Sequence, residues 1–573
     1  MRKACLVFCS LLCVVTIAGA TAPEVMTKMA PSAATVTAPD AVSPLKLAVE
    51  MGLLHQRLVS ERPEGETYNL GALTAAESAR LAGDEVNQNQ RLLVGVDRSV
   101  DAIVDVASTE ESPAKLSSTN QVGSLHTLID GAVVWSATFR SPGATALRAH
   151  LVDIDLPDGV LLYAYGETGD AYGPYTGNGS SNRREVWTNT VLGDVLTLQL
   201  EIAAPVTEEQ LWGSYFSVAS VGHMGDRFNL ARWQDETPEK SFCTINADCV
   251  ENADCSSVPG AIAAAEPAVA EMLYASRSSY YICTGTLMAD TGGSMTPYFL
   301  TANHCISTSD EAASLETYWD FTAPCGTTAC SYAWEIVGRA TPGAVILSGN
   351  DTSDYTLLQL DAIPSGRTFL GWTAAAVANS NGTDLYRLSH PSGAPQAYST
   401  HDVDTSKYEC SSWPRGSWIY SKDTYGATEG GSSGSAVLNS SGLIVGQLSG
   451  ACGFNLNDVC DAESNATVDG ALAAYYSSVS QWLDAGACDP SPEVCDDGID
   501  NDCDGLVDQE DPDCDSCTPE TEVCDGVDND CDGLIDEDGV CDAPACLEYG
   551  ERCTVNADCC SDYCRGNRNK KCR

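Results

Sequence analysis

The sequence predicts a mainly β chain, with a β-sandwich, a second and larger β-rich unit, and small disulfide-rich modules at the C-terminus. Three observations carry this expectation. Short runs rich in β-branched residues, separated by Gly- and Pro-bearing turns, recur from Leu92 onward. All but three of the 27 cysteines lie at or beyond Cys243. Two nearly identical acidic segments follow the last strand-like stretch. At 573 residues the chain exceeds a single hydrophobic core, and about three or four units are expected.

Taken in order, Arg2 and Lys3 precede an apolar run over residues 4–17, and Ala18-Gly19-Ala20 forms a small-residue cleavage site. Residues 1–20 therefore read as a secretory signal peptide. The run is too short to span a bilayer, and no later stretch reaches the roughly 18 apolar residues a membrane helix needs. Cys5, Cys9 and Cys13 lie inside it, none placed as a lipid-anchor cysteine would be, so ordinary export is expected, with a short membrane anchor as the other reading. Removing these three from 27 leaves 24 cysteines. An exported chain with dense, even cysteines is expected to carry disulfides. A net charge of −50 argues against a nucleic-acid partner, since binding phosphate needs Lys and Arg.

Residues 21–95 are rich in Ala, Thr and Glu, with one amphipathic stretch near 45–58. Over residues 92–205 the runs at 132–139, 161–165 and 195–200 are strand-like. Turns such as Ser141-Pro142-Gly143 and Pro157-Asp158-Gly159 separate them, the pattern of a β-sandwich. A polar link over 226–240 follows. Residues 241–487 are again strand-like and close with a helix around 471–483.

Within this second unit, an apolar run from Tyr298 ends in His304 beside Cys305, and Asp354 heads the apolar run Tyr355-Thr356-Leu357-Leu358. Ser433 sits between Gly431 and Gly434. Glycines there let the backbone turn tightly, so that amides near Gly431 and Ser433 can face a developing oxyanion. A serine hydroxyl is a weak nucleophile that needs an imidazole base, and the imidazole needs an acceptor that fixes its tautomer. Each piece alone has a bland reading as a structural His, a glycine-serine loop or an ordinary acid before a strand. Together, in the order His, Asp, Ser at separations of 50 and 79 residues, they read as a catalytic triad. That order is the one found in the chymotrypsin-type double β-barrel.

The stretch from 243 to 483 resembles the bacterial lysyl endopeptidases, secreted trypsin-like proteases made with a long propeptide. The resemblance rests on Cys243-x5-Cys249, Cys283-Thr284-Gly285-Thr286-Leu287, the run Tyr298 to Cys305, Tyr318-Trp319, and Thr352 to Leu358. It continues through Gly431 to Ser435, Gly446-Gln447-Leu448 and Gln481-Trp482-Leu483-Asp484. It implies a protease domain over 241–487 and a propeptide over 21–240, whose landmarks Trp135, Ser141 to Ala144 and Trp187 are also similar. It further implies disulfides Cys243–Cys452, Cys249–Cys325 and Cys283–Cys305, with no family partner for Cys255, Cys330, Cys410 or Cys460. In ordinary trypsin-like enzymes the acid that receives Lys or Arg lies six residues before the serine, where this chain has Ala427. In lysyl endopeptidases it lies nine residues after the last barrel cysteine, which here is Asp461, either a buried pocket acid or a plain loop acid. A His that favours Lys over Arg in the family is replaced by Ser449.

Residues 488–545 hold 22 acidic residues and no Lys or Arg. Within them Asp500, Asp502, Asp504 and Asp508 match Asp528, Asp530, Asp532 and Asp536, at loop positions one, three, five and nine. Gly505 and Gly533 stand at position six, where a sharp turn brings the carbonyl of Leu506 or Leu534 into the same oxygen cage. Position twelve is Asp511 in the first repeat and Gly539 in the second, and the cysteines inside the loops are foreign to EF-hands. The repeats resemble a cysteine-bearing metal-binding motif of secreted bacterial proteins. Calcium is the expected ion, with a solvated acidic linker as the alternative; oxidised cysteines offer zinc no thiolate. Residues 546–573 carry six cysteines whose spacing resembles knottins, and that resemblance implies pairing of first with fourth, second with fifth and third with sixth. Spacing by itself leaves all 15 pairings open.

The expected function is a secreted serine endopeptidase, made as a zymogen, that cleaves protein or peptide substrates after Lys or Arg. The alternative is a calcium-dependent surface-binding protein with an inactive protease-like middle.

Overall fold

A computed structural model of the chain describes residues 30–38, 44–62, 65, 67–82, 91–105, 122–179, 183–228, 247–325, 341–484, 564–565 and 571–572. Residues 1–20, read above as a signal peptide, most of the link from 229 onward and the acidic repeats with their proposed ligands fall outside the described residues. Of the last module only the antiparallel pair Cys564–Arg565 and Lys571–Cys572 is described.

The amphipathic stretch forms the helix Pro44–Glu61. Leu54 and Leu58, four residues apart, share one face and pack on Tyr163, Tyr165 and Ala171 of the sheet beneath. That sheet has six strands, with Val133–Arg140 and Val195–Ile202 at its centre. A second layer contains Leu92–Asp105, Ala146–Asp155 and Tyr215–Met224. Trp135 from the first layer meets Phe216 from the second edge-to-face at 5.6 Å, an arrangement that adds to simple area burial. The sandwich thus extends past the expected end near 205. Tyr215–Met224 pairs with Leu92–Asp105 on one side and Ala146–Asp155 on the other, so it is a central strand. Ser217, Ser220 and Gly222 interrupt its apolar run, and a strand covered on both edges can hold such small residues where neighbours crowd in.

Leu92–Asp105 also continues the sheet into the second unit, pairing antiparallel with Ser279–Met288. A buried polar knot reinforces the join. Glu316 accepts hydrogen bonds from Thr190 Oγ1 at 2.6 Å, Asn189 Nδ2 at 2.9 Å and Tyr318 Oη at 2.9 Å. Arg148, fully buried with it, lies 3.8 Å away and donates to the carbonyl of Ser314.

The second unit is a pair of barrels, as the sequence leads one to expect. In the first, Val269–Ser276, Ser279–Met288, Tyr298–Ala302, Tyr355–Leu360 and Ala344–Asn350 pair in succession. Glu316–Trp319 and Thr341–Pro342 continue from the far edge of Val269–Ser276 and lead back through Gly343 to Ala344. The second barrel closes fully. Ile444–Gly453, Ala436–Leu438, Asp384–Ser389, Ala397–Val403, Trp418–Tyr425 and Asn465–Ala471 pair in that order, and the last returns to the first. Helix Leu472–Leu483 then packs Leu472, Tyr475, Val479 and Leu483 inward. All four sit on one stripe at helical spacing.

Two of the three implied disulfides are corrected. Cys283–Cys305 forms. Cys249, however, pairs with Cys460, Cys255 with Cys325, and Cys410 with Cys452. The reason is proximity. Asn252 Nδ2 donates to the Ala323 carbonyl at 2.8 Å, which brings Cys255 rather than Cys249 within 4.7 Å (Cα–Cα) of Cys325. Cys410 and Cys460, which have no counterparts in the family pattern, then take Cys452 and Cys249. Cys243 and Cys330 lie outside the described residues.

Candidate active site

The three residues singled out in the sequence converge where the barrels meet. His304 follows the strand Tyr298–Ala302, and Asp354 heads the neighbouring strand Tyr355–Leu360. The Asp354 carboxylate holds His304 twice: Oδ1 accepts the His304 main-chain N–H and Oδ2 pairs with Nδ1, both at 2.7 Å. With Asp354 ionised, Nδ1 is the protonated nitrogen, and Nε2 is left as the acceptor. Nε2 is buried and has no hydrogen-bond partner among the described residues.

Asp354 itself has φ +49°, in the left-handed region that side chains seldom adopt. Such a conformation costs about 1–3 kcal/mol and persists only where the surroundings enforce it. Here its carbonyl accepts from Asn303 N at 3.1 Å and from Gln447 Nε2 at 3.0 Å. Gln447 in turn accepts from Tyr475 Oη at 2.6 Å, and Tyr475 stacks on Tyr355 at 4.0 Å. The closing helix is thereby linked through three side chains to the base of His304.

Ser433 comes from the loop ahead of Ala436–Leu438. Its carbonyl accepts from Thr284 N at 2.8 Å, next to Cys283, which is bonded to Cys305 beside His304. Gly431 has φ +101°, and a Cβ there would meet the His390 carbonyl at 2.7 Å. Gly434 has φ +84°, and a Cβ there would collide with Thr301 Oγ1. Only glycine fits either place, which is why the serine is bracketed by glycines. Arg387, fully buried and paired with Asp469 at 2.6 Å, donates to the Ser435 carbonyl at 3.0 Å and holds the far side of the loop.

Asp461 does not form the buried pocket acid considered from the sequence. It is half-buried at the surface, and its carboxylate accepts from Asn455 Nδ2 at 2.8 Å and Ser464 N at 3.0 Å within its own loop. Those bonds hold its pKa down at about 2. A nine-residue count from Cys452 cannot foresee that the loop holding Asp461 is tied through Cys460 to Cys249. Ser449 is buried, with Oγ unpartnered among the described residues. The other histidines of the unit have other partners, although His390 Nε2 is also buried without one among the described residues. His390 stacks on Phe321 and binds the Ala394 carbonyl through Nδ1, and burial pushes its pKa down to about 4. His401 pairs with Asp423 at 2.7 Å.

Gln447, Tyr475 and Arg387, which brace the triad, carry no site role in the sequence reading. Gln447 was visible as part of Gly446-Gln447-Leu448, but the pattern carried no role for it. Arg387 is the one cation of the strand Asp384–Ser389 and lies between Tyr386 and Leu388, a signal consistent with a buried ion pair.

Residues 239–465 match the family model of the lysyl endopeptidase C-terminal domain, and residues 69–225 match that of the lysyl endopeptidase N-terminal domain. Residues 490–509 and 513–537 match a model described as a candidate metal-binding motif. A lysyl endopeptidase of Pseudomonas aeruginosa is 30% identical over 364 residues, covering 60% of this chain and 73% of that protein. Among solved structures, an HtrA-type protease with a tripeptide aligns at 16% identity and TM-score 0.28, over 38% of this chain and 62% of that one. A serine endoprotease from Yersinia pestis aligns at 17% identity and TM-score 0.26, over 40% and 68%.

Proposed function

Because this chain belongs to the lysyl endopeptidase family and is a serine endopeptidase, we propose that His304, Asp354 and Ser433 are its catalytic triad. In this reading Ser433 Oγ attacks the scissile carbonyl and His304 Nε2 takes its proton. Asp354 keeps the second imidazole proton on Nδ1 and stabilises the imidazolium. Amides near Gly431 and Ser433 receive the oxyanion. His304 then protonates the leaving amine, and water hydrolyses the acyl-enzyme by the same route. The observation that carries this reading is the double grip of Asp354 on His304 together with a buried, unbonded Nε2. Labelling with an uncharged fluorophosphonate tests it: the probe should modify the wild-type chain and spare Ser433→Ala.

Cleavage after Lys or Arg is the specificity this reading assigns, supported by the family. We further assign residues 1–20 to export, 21–240 to a propeptide, 241–487 to the protease, and 488–545 and 546–573 to accessory modules. Two contacts support a covering propeptide. Leu92–Asp105 extends the barrel sheet, and the Arg91 guanidinium donates to the His304 carbonyl while also reaching Glu311 at 3.4 Å. A cut after Lys240 would free the protease from that cover. N-terminal sequencing of the secreted enzyme should find a start near Ser241.

Calcium is the metal this reading assigns to the acidic repeats. The donors are hard oxygens from Asp500, Asp502, Asp504, Asp508 and Asp511, repeated at Asp528, Asp530, Asp532 and Asp536, with the Leu506 and Leu534 carbonyls. That set suits calcium better than a soft metal. None of the donors belongs to the triad, so the ion is assigned a structural role. The surface-binding alternative with an inactive middle is favoured by no feature of the described residues.

A further inference from the structure

The position that holds the specificity acid in ordinary trypsin-like enzymes is Ala427, and the Asp461 carboxylate is spent on its own loop. A different carboxylate lines the pocket between these two positions. Asp423, from the strand Trp418–Tyr425, shares a narrow pocket of about 40 Å³ with Thr428, Ala451, Val459, Ala462 and Thr467. Its walls are the segments that hold Ser433. Thr428 belongs to the loop that reaches Ser433 five residues later. Ala451 lies on Ile444–Gly453, whose Leu448 accepts from Gly434 N at 2.8 Å and donates to the Ser435 carbonyl at 2.9 Å. The opposite wall is Asn465–Ala471, which closes the barrel against both.

The carboxylate is built into this wall. Its side chain is 13% exposed, and Oδ1 accepts from Thr467 Oγ1 at 2.6 Å and pairs with His401 Nδ1 at 2.7 Å. His401 is fully buried and its Nε2 is engaged with Ser399 Oγ at 2.8 Å, so the ring is fixed from both ends. Both bonds fall on Oδ1, and among the described residues Oδ2 makes none. Burial alone would raise the Asp423 pKa, but His401 and Thr467 outweigh it and hold the group below the ordinary carboxylate range. An ionised, oriented and largely desolvated carboxylate in a narrow pocket selects a slim cationic side chain.

We propose that Asp423 is the specificity residue that pairs with the ammonium or guanidinium of the residue before the scissile bond. This rests on the reading of Ser433 as nucleophile, and the test separates the two. The secreted full chain and its Asp423→Asn, Asp461→Asn and Ser433→Ala variants are assayed for fluorophosphonate labelling. They are also assayed for kcat/KM on matched peptide esters with Lys, Arg, Gln or Met before the cleaved bond. Asn keeps an acceptor for Thr467 and His401 while removing the charge. Asp423→Asn should label at the wild-type rate yet lose roughly 100-fold of its preference for Lys and Arg over Gln and Met. Asp461→Asn should keep that preference. A His401 partner of purely structural importance would change stability and leave the preference intact. Normal labelling of Asp423→Asn with undiminished basic preference overturns the assignment. Absence of Ser433-dependent labelling in the wild type overturns the catalytic reading instead. If Asp423→Asn fails to label, Ala462→Lys decides: its ammonium reaches the same carboxylate, and retained basic preference there also overturns the proposal.

Discussion

Gln447 on the second barrel holds the main chain of Asp354 on the first, donating its amide to the carbonyls of Ser353 and Asp354 at 3.0 Å each. The contact crosses the cleft between barrels and supports the residue with φ +49° that orients His304. Replacing Gln447 with Leu removes both bonds and leaves the buried Tyr475 hydroxyl without its acceptor. A destabilisation of about 1–3 kcal/mol is expected, read as a lower denaturant midpoint. A fall in kcat with little change in KM is expected beside it, because the loss falls on positioning rather than on substrate binding.

Asp354→Asn tests the tautomer argument. Oδ1 accepts a main-chain N–H, so Asn must keep its oxygen there and turn its NH₂ group towards Nδ1. That arrangement forces the proton onto Nε2, where it cannot act as a base. A loss of about 10⁴-fold in kcat is expected with an unchanged melting curve. Activity within tenfold of wild type would show that the carboxylate does not set the tautomer.

The join between the N-terminal sandwich and the first barrel depends on Glu316. Changing it to Ala strands the buried Arg148, a loss of about 3–5 kcal/mol where a buried pair is broken. Scanning calorimetry of the unprocessed chain should register that loss. If the sandwich is the cover proposed above, faster appearance of activity is expected with it.

Acid sensitivity is also expected in the sandwich. Burial, with Arg98 nearby, pushes the His223 pKa down to about 4 against an ordinary value of 6.5. Between these values the unfolded state binds a proton that the folded state refuses, so stability falls as pH drops from about 6.5 to 4. The contribution is on the order of 3 kcal/mol. His223→Gln should flatten the dependence of melting temperature on pH in the unprocessed chain, and His390 adds a slope of the same sign from the protease unit.

Calcium binding by the repeats should be separable from catalysis. Titration calorimetry on the full chain is expected to show affinity in the range of extracellular modules, about 10⁻⁴–10⁻³ M. Asp500→Ala with Asp528→Ala should abolish the heat and leave fluorophosphonate labelling unchanged. Retained heat in the double variant would place the ion elsewhere.

The sequence by itself determined the β class, the family and the closing helix, because each depends on local patterns: alternation, turn residues, and short motifs read along the chain. His304, Asp354 and Ser433 stood out for the same reason, each inside its own strand end or glycine turn. Only the tertiary structure decided which cysteines meet, since Cys249 finds Cys460 across 211 residues and Cys410 finds Cys452 across 42. It likewise decided that Asp461 faces its own loop while Asp423 faces a pocket, that Tyr215–Met224 is central, and that Gln447 reaches Asp354. These facts turn on which strand lies beside which. His401 and Asp423 are register partners in neighbouring strands, 22 residues apart in sequence, and nothing local to either announces the other. Pairing of distant segments is a property of the closed barrel, and it exists only once the barrel has closed.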